Sequence, residues 1–125
     1  MRKLTRSEIA EARADLLHRQ AWRCALCQLP CKVADAVLDH NHQTGAVRGT
    51  LHRSCNALLG KVENNHKRYG VTQLSAFLHG AAAYLQHHST NVTGLIHPLH
   101  KTDEEKRLSR NARARKARAA KKKGT

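Results

Sequence analysis

Asp39 and His40 stand side by side after the short apolar stretch Val37-Leu38, in a chain with only nine acidic residues. Six acids fall in the first hundred positions: Glu8, Glu11, Asp15, Asp35, Asp39 and Glu63. Three of these share one helical stretch, where charges usually form a solvated face. Asp39 differs because an imidazole follows it directly. Magnesium takes oxygen ligands, often one carboxylate with water and substrate phosphate. A histidine with an ordinary pKa near ~6.5 can act as a general base at physiological pH. Phosphodiester hydrolysis needs an activated water, stabilised phosphoryl charge and a stabilised leaving oxygen, and one histidine with one divalent cation supplies all three. An Asp-His pair alone is nevertheless a weak signal, since most such pairs are surface residues.

A second group of residues suits a softer metal. Cys24-Ala25-Leu26-Cys27 is a C-x-x-C knuckle, and His52-Arg53-Ser54-Cys55 repeats its spacing as H-x-x-C. Two intervening residues let both ligands of a knuckle meet one zinc at tetrahedral angles, and two knuckles close the site with four protein ligands. Cys31 is an alternative fourth ligand to His52. A thioredoxin-like redox pair is the other reading of Cys24 and Cys27, but it requires a strand before the motif, and the residues there read as helix.

The elements that must position these groups are short. Thr5-Arg6-Ser7-Glu8 has capping-box spacing and opens a helix to about Arg19, with Ile9, Arg13, Leu16 and Leu17 on one stripe. Pro30 marks a turn. Val37-Leu38 reads as a strand, Gln43-Thr44-Gly45 as a turn, and Ala46–Leu51 as the return strand. Asn56–Val62 then reads as a short helix. Leu74, Phe77, Leu78, Ala81 and Leu85 fall at helical spacing in a packing helix that Thr72 could cap. The expected fold is small α+β: an N-terminal helix over 1–22, a zinc-stapled core over 23–70, a packing helix and loop over 71–100, and a basic tail over 101–125.

Composition sets the outer bounds. A length of 125 residues suits about one domain, and an apolar fraction of 40% with four aromatic residues leaves a thin core. Such a domain gains from a metal staple. The net charge of +14 points to nucleic acid, with an anionic membrane surface or ribosomal RNA as other polyanions that would suit it. No apolar run approaches the ~18 residues of a membrane span. No secretory-type run follows the basic N-terminus, so the expectation is an intracellular, cytoplasmic protein, where reduced cysteines favour metal over disulfides. Residues 101–125 carry 11 of the 23 basic residues and three of the nine acids, a net of +8. That segment cannot bury a core and is expected to be disordered or partly helical until it meets a polyanion.

The whole stretch Leu38-Asp39-His40-Asn41-His42-Gln43-Thr44-Gly45-Ala46-Val47-Arg48-Gly49-Thr50-Leu51-His52-Arg53-Ser54-Cys55-Asn56-Ala57-Leu58-Leu59-Gly60 resembles the phage recombination endonuclease VII family of His-Me finger (ββα-metal, HNH-like) nucleases. The resemblance covers about residues 22–60 and continues more weakly through Leu74–Leu85. It implies a ββα-metal core, with Cys24, Cys27, His52 and Cys55 on a structural zinc, although the family usually has cysteine at the position of His52. It further implies that Asp39 and Asn56 hold catalytic Mg2+ or Mn2+, that His40 is the general base, and that His42 assists beside it. The partner would be DNA rather than a membrane or a small molecule, in a phage-encoded protein of the host cytoplasm, as a monomer or a dimer. Nicking and branched-DNA cleavage are both open. Arg48, Arg53, Lys61, Lys67, Arg68 and, in the tail, Arg110, Arg113 and Lys116 would neutralise phosphates. The competing reading is a non-catalytic, zinc-containing nucleic-acid-binding protein, which gives Asp39, His40 and Asn56 no common purpose.

Overall fold

The computed structural model describes residues 1–124 and divides the chain into two compact units, Met1–His79 and Gly80–Thr125. The first unit begins with a 3-10 turn, Arg6–Glu8, that leads into helix α1, Ile9–Arg19. The Glu8 carboxylate accepts the Thr5 backbone N–H at 2.7 Å and pairs with Arg2 at 2.8 Å. Of the stripe read from the sequence, Leu17 is fully buried, Arg13 and Leu16 are half-buried, and Ile9 is exposed.

Strands β1 (Ala36–His40) and β2 (Val47–His52) form a two-stranded antiparallel sheet, followed at once by helix α2, Arg53–Asn65. Both α1 and α2 pack on both strands. The connecting loop is built by Asn41, whose side-chain oxygen accepts the N–H groups of Gln43 at 2.8 Å and Thr44 at 3.1 Å, and by Gly45 at φ +77°. Glycine carries that left-handed conformation without the steric cost of a Cβ.

Among the described residues, the buried apolar core comprises only Leu17, Cys24, Cys31, Ala36 and Leu51, with Cys55 and Leu59 packed against it. Cys24 of the first knuckle is a core member and Cys55 of the second packs against it, so the cluster is anchored in the core. The N-terminal helix, read from the sequence as a separate segment, supplies Leu17 to this core and belongs to the same unit.

A long-range amide pairing ties α1 to the sheet. The Gln20 side chain donates to Thr50 O at 2.8 Å and accepts the Thr50 N–H at 2.9 Å, while Thr50 Oγ1 donates to Arg13 O at 2.8 Å. Gly49 sits under this contact: a Cβ there would lie 3.2 Å from both Ala25 Cβ and Gln20 Oε1. Gly49→Ala is therefore expected to destabilise the first unit by about 1–3 kcal/mol, the usual cost of overpacking. A thermal melt of the variant beside the wild type checks this, and an unchanged midpoint would show that the approach is not tight.

Helix α3 (Leu74–His87) spans the division between the two units. Leu74 and Ala81 are half-buried, whereas Phe77, Leu78 and Leu85 are exposed, so the stripe read as a packing face has no fully buried member. In the second unit the basic segment forms helix α4 over Asp103–Lys123, with no buried residue. Thr102 caps it, accepting the Glu105 N–H at 3.2 Å, and three acids occupy its first turn where the helix dipole favours them. Among the described residues, no helix is long and apolar enough to cross a membrane.

Candidate active site and metal centre

The knuckles converge as their spacing predicts. One ligand atom from each of Cys24, Cys27, His52 and Cys55 lies within 4.8 Å of the others. His52 Nδ1 stands 3.3 Å from Cys27 Sγ and 3.8 Å from Cys55 Sγ. Its Nε2 lies 2.8 Å from Pro30 O, so a proton on Nε2 is satisfied by the carbonyl and Nδ1 is left with its lone pair toward the sulfurs. That second-sphere contact fixes the tautomer a metal-ligating histidine needs. Cys31 is buried in the core beside the cluster, outside the four-residue set, with its thiol donating to Lys32 O at 3.7 Å.

The electrostatics of the four groups suit a cation. Burial opposes ionisation of Cys24, but the backbone N–H groups of Cys27, His52 and Leu26, with the Cys27 thiol, outweigh it and bring its pKa down to about 6. Cys55 goes the other way, pushed up to about 11 by burial and by the neighbouring Cys27 and Cys24 sulfurs. One thiolate is welcome and a second is resisted, which is the situation a divalent ion relieves. The donor set of three thiols and one imidazole matches the chemistry of structural zinc. Left-handed backbone at Ala21, Trp22 and Gln28, all non-glycine, brackets the first knuckle.

The second group forms at the far end of β1. Asp39 is buried, and a cleft of ≈ 270 Å³ lined by Ala25, Leu26, Asp39, Arg48, Gly49, Leu51 and Leu59 lies over it. His40 ends the strand, and His42 follows on the loop. Their rings stack with centroids 4.9 Å apart and planes inclined by 21°, both exposed. Asn56 is half-buried on α2, directly after the zinc-cluster residue Cys55. The metal cluster thereby fixes the start of the helix that carries it.

Arg48 is the residue whose role the sequence did not reveal. It donates to Asp39 through Nε at 2.7 Å and Nη2 at 3.1 Å, and to Glu63 through Nη1 at 3.0 Å and Nη2 at 2.9 Å. The register explains how it gets there. Asp39 pairs with Gly49 and His40 with Val47, which leaves Arg48 as the extra residue of a bulge. In an unbroken ladder neighbouring side chains alternate faces, so Arg48 would point away from the side chain opposite Gly49. The bulge removes that alternation and re-aims it.

Glu63, an acid without a sequence-based role, is drawn in through Arg48. Asn56 and Glu63 are seven residues apart on α2, which places them on one helix face. The Arg48 guanidinium holds the Glu63 carboxyl below its ordinary value, against burial and the repulsion of Asp39, with a small contribution from His42. A group with a depressed folded pKa stabilises the fold above its unfolded pKa and loses that contribution as pH falls. A 13C-detected titration should therefore place Glu63 below the ordinary glutamate range; an ordinary value would mean that the ion pair does not persist in solution.

Of the basic residues predicted to meet phosphate, Arg48 is paired with two carboxylates and the others are exposed. Arg53 opens α2, Lys61 lies further along it, and Lys67 and Arg68 are in the 3-10 turn His66–Tyr69, all exposed. Lys61 also borders a larger cavity of ≈ 420 Å³ with Val62, Asn65, His66, Tyr69, Val71 and Phe77. Arg110, Arg113 and Lys116 are exposed on α4 in the second unit.

Comparison with known proteins settles the ancestry. The family described as recombination endonuclease VII matches residues 1–87. The chain belongs to that family. The match extends past the motif-bearing stretch to take in α1 and all of α3, so the recombination endonuclease VII unit includes the helix that Leu17 anchors. No curated protein matches the chain. Membership in the recombination endonuclease VII family indicates a DNA endonuclease, and the Cys3His cluster is one that could hold its structural zinc.

Proposed function

We propose that the protein is a metal-dependent endonuclease that hydrolyses DNA phosphodiester bonds with His40 as general base. The observation that carries this reading is the succession of a buried carboxylate, Asp39, and two exposed, stacked imidazoles, His40 and His42, at the end of one strand, in a member of an endonuclease family. Asp39 and Asn56 offer oxygen donors to a hard cation, and the ion pair of Asp39 with Arg48 supports this reading, since the carboxylate already faces a cationic group. Bound there, Mg2+ or Mn2+ would supply charge stabilisation at the scissile phosphate and the leaving oxygen. His40 takes a proton from water as its oxygen bonds to phosphorus. The bond from phosphorus to the 3′ oxygen breaks and that oxygen takes a proton from solvent water, leaving 5′-phosphate and 3′-hydroxyl ends. His42, stacked on His40, orients that ring and contacts phosphate. Arg53, Lys61, Lys67 and Arg68 neutralise the backbone, as do Arg110, Arg113 and Lys116.

Recombination passes through branched intermediates, so branched DNA is the substrate class that the family description favours, with strand nicking of duplex DNA as the second. Incubating supercoiled plasmid, linear duplex and a four-way junction with the zinc-loaded protein and Mg2+ or Mn2+ tests both. Junction cleavage ahead of duplex supports the first, and nicked circles with an untouched junction support the second. Failure to cut any of them with either metal would overturn the nuclease mechanism and leave a binding protein. Deleting residues 101–125 should weaken DNA binding and flatten its salt dependence, since each phosphate contact contributes about 0.9 to the log–log slope. An unchanged slope would remove the tail from the interface.

A further inference from the structure

Arg48 offers four hydrogen bonds from one guanidinium to two carboxylates on different elements, β1 and α2. The two carboxylates are not equivalent. The Asp39 side chain is 5% exposed, whereas Glu63 is 30% exposed. A carboxylate as buried as Asp39 requires a compensating charge, and both of its oxygens are taken by Arg48. A divalent cation that binds Asp39 therefore competes with Arg48 for these two oxygens, and its charge repels the guanidinium held there. Glu63 gives the displaced guanidinium somewhere to remain, because two of its bonds survive when Asp39 is given up.

We propose that Arg48 is the resting counter-ion of the cation site, displaced from Asp39 when the divalent ion binds and retained beside it by Glu63. This rests on the reading of Asp39 as a cation ligand. Arg48 is then a positioning residue that sets the order of events. Without substrate it competes with the cation and keeps the site weak. A DNA phosphate, a good acceptor for a guanidinium fork, offers Arg48 a third partner and so favours its release. Cation and DNA should consequently strengthen each other's binding, because coupling between two sites is reciprocal. The bulge at Arg48 and the unassigned acid Glu63 both acquire a purpose under this arrangement.

The test measures Mn2+ alone, without DNA, by the electron paramagnetic resonance of the free ion, on zinc-loaded full-length protein. Asp39→Asn should abolish the site. Arg48→Gln should tighten Mn2+ binding by roughly tenfold or more, since no guanidinium then competes for the Asp39 oxygens through charge-assisted hydrogen bonds. Glu63→Gln should weaken binding severalfold, because Arg48 then rests wholly on Asp39 and an anion near the cation is lost. Zinc content and amide dispersion report whether each variant is folded. Loss of the site in Asp39→Asn, with no tightening in folded Arg48→Gln, overturns the proposal and leaves the ligand reading intact. Unchanged Mn2+ binding in Asp39→Asn overturns both. Should Arg48→Gln lose zinc, Glu63→Gln decides, and wild-type affinity there is the overturning result.

Discussion

Removing zinc from the Cys24–Cys27–His52–Cys55 cluster with a strong chelator is expected to unfold the first unit outright. The reason lies in the size of the core, in which, among the described residues and without the cluster's Cys24, only Leu17, Cys31, Ala36 and Leu51 are buried apolar side chains. Structural zinc contributes an apparent ~10–16 kcal/mol in small domains, as much as the ~5–15 kcal/mol of net stability that a whole domain usually has. Cys24→Ser should act in the same direction, because Cys24 is buried and its sulfur also accepts the His52 N–H at 3.4 Å, where α2 begins. Amide dispersion of residues 1–79 in a two-dimensional NMR spectrum should collapse on chelation and return on adding zinc. A spectrum that stays dispersed in the metal-free protein would make the cluster ornamental. Acid should mimic chelation, since protons compete with metal for thiolates and imidazole.

The second large effect concerns rate and not folding. His40→Ala should slow DNA cleavage by about 10²–10⁴-fold, the usual contribution of a positioned general base. His40 is exposed and outside the buried core, so zinc content, thermal midpoint and DNA affinity should stay close to wild type. Single-turnover cleavage of the preferred substrate measures the loss. A loss below about threefold, with zinc and affinity intact, would assign the proton transfer elsewhere. His42 would then be tested next, since its ring lies against that of His40.

The Cys3His cluster was the most legible part of this chain, because C-x-x-C and H-x-x-C are local patterns whose consequence is also local. The order strand, loop, strand, helix was equally readable, from Val37-Leu38, Gly45 and the apolar return strand. Its limits moved by a few residues: β1 runs Ala36–His40, β2 Val47–His52, and α2 extends to Asn65. Arg48 shows where reading stops. Its sequence position suits a phosphate contact, but the bulge that turns it toward Asp39 depends on strand register, which no local pattern encodes. Glu63 was silent for the same reason, since its partner lies 15 positions away. Gln20 looked like the unremarkable end of a helix, and its partner lies 30 positions on. The apolar spacing of α3 predicts a helix correctly, yet spacing does not supply a surface to pack on.

The Gln20 amide has a meaning beyond the stability of α1. A two-stranded hairpin leaves each outer strand with open N–H and C=O groups, a template on which another chain can add a strand. At Thr50 the Gln20 side chain takes up both groups, standing in for one residue of a third strand. Ala25 N–H also reaches Thr50 O, at 3.1 Å. The helix and the knuckle thus seal the outer rim of β2 at its most buried position. A chain whose first helix is undocked exposes that rim, and docking of the Gln20 amide closes it.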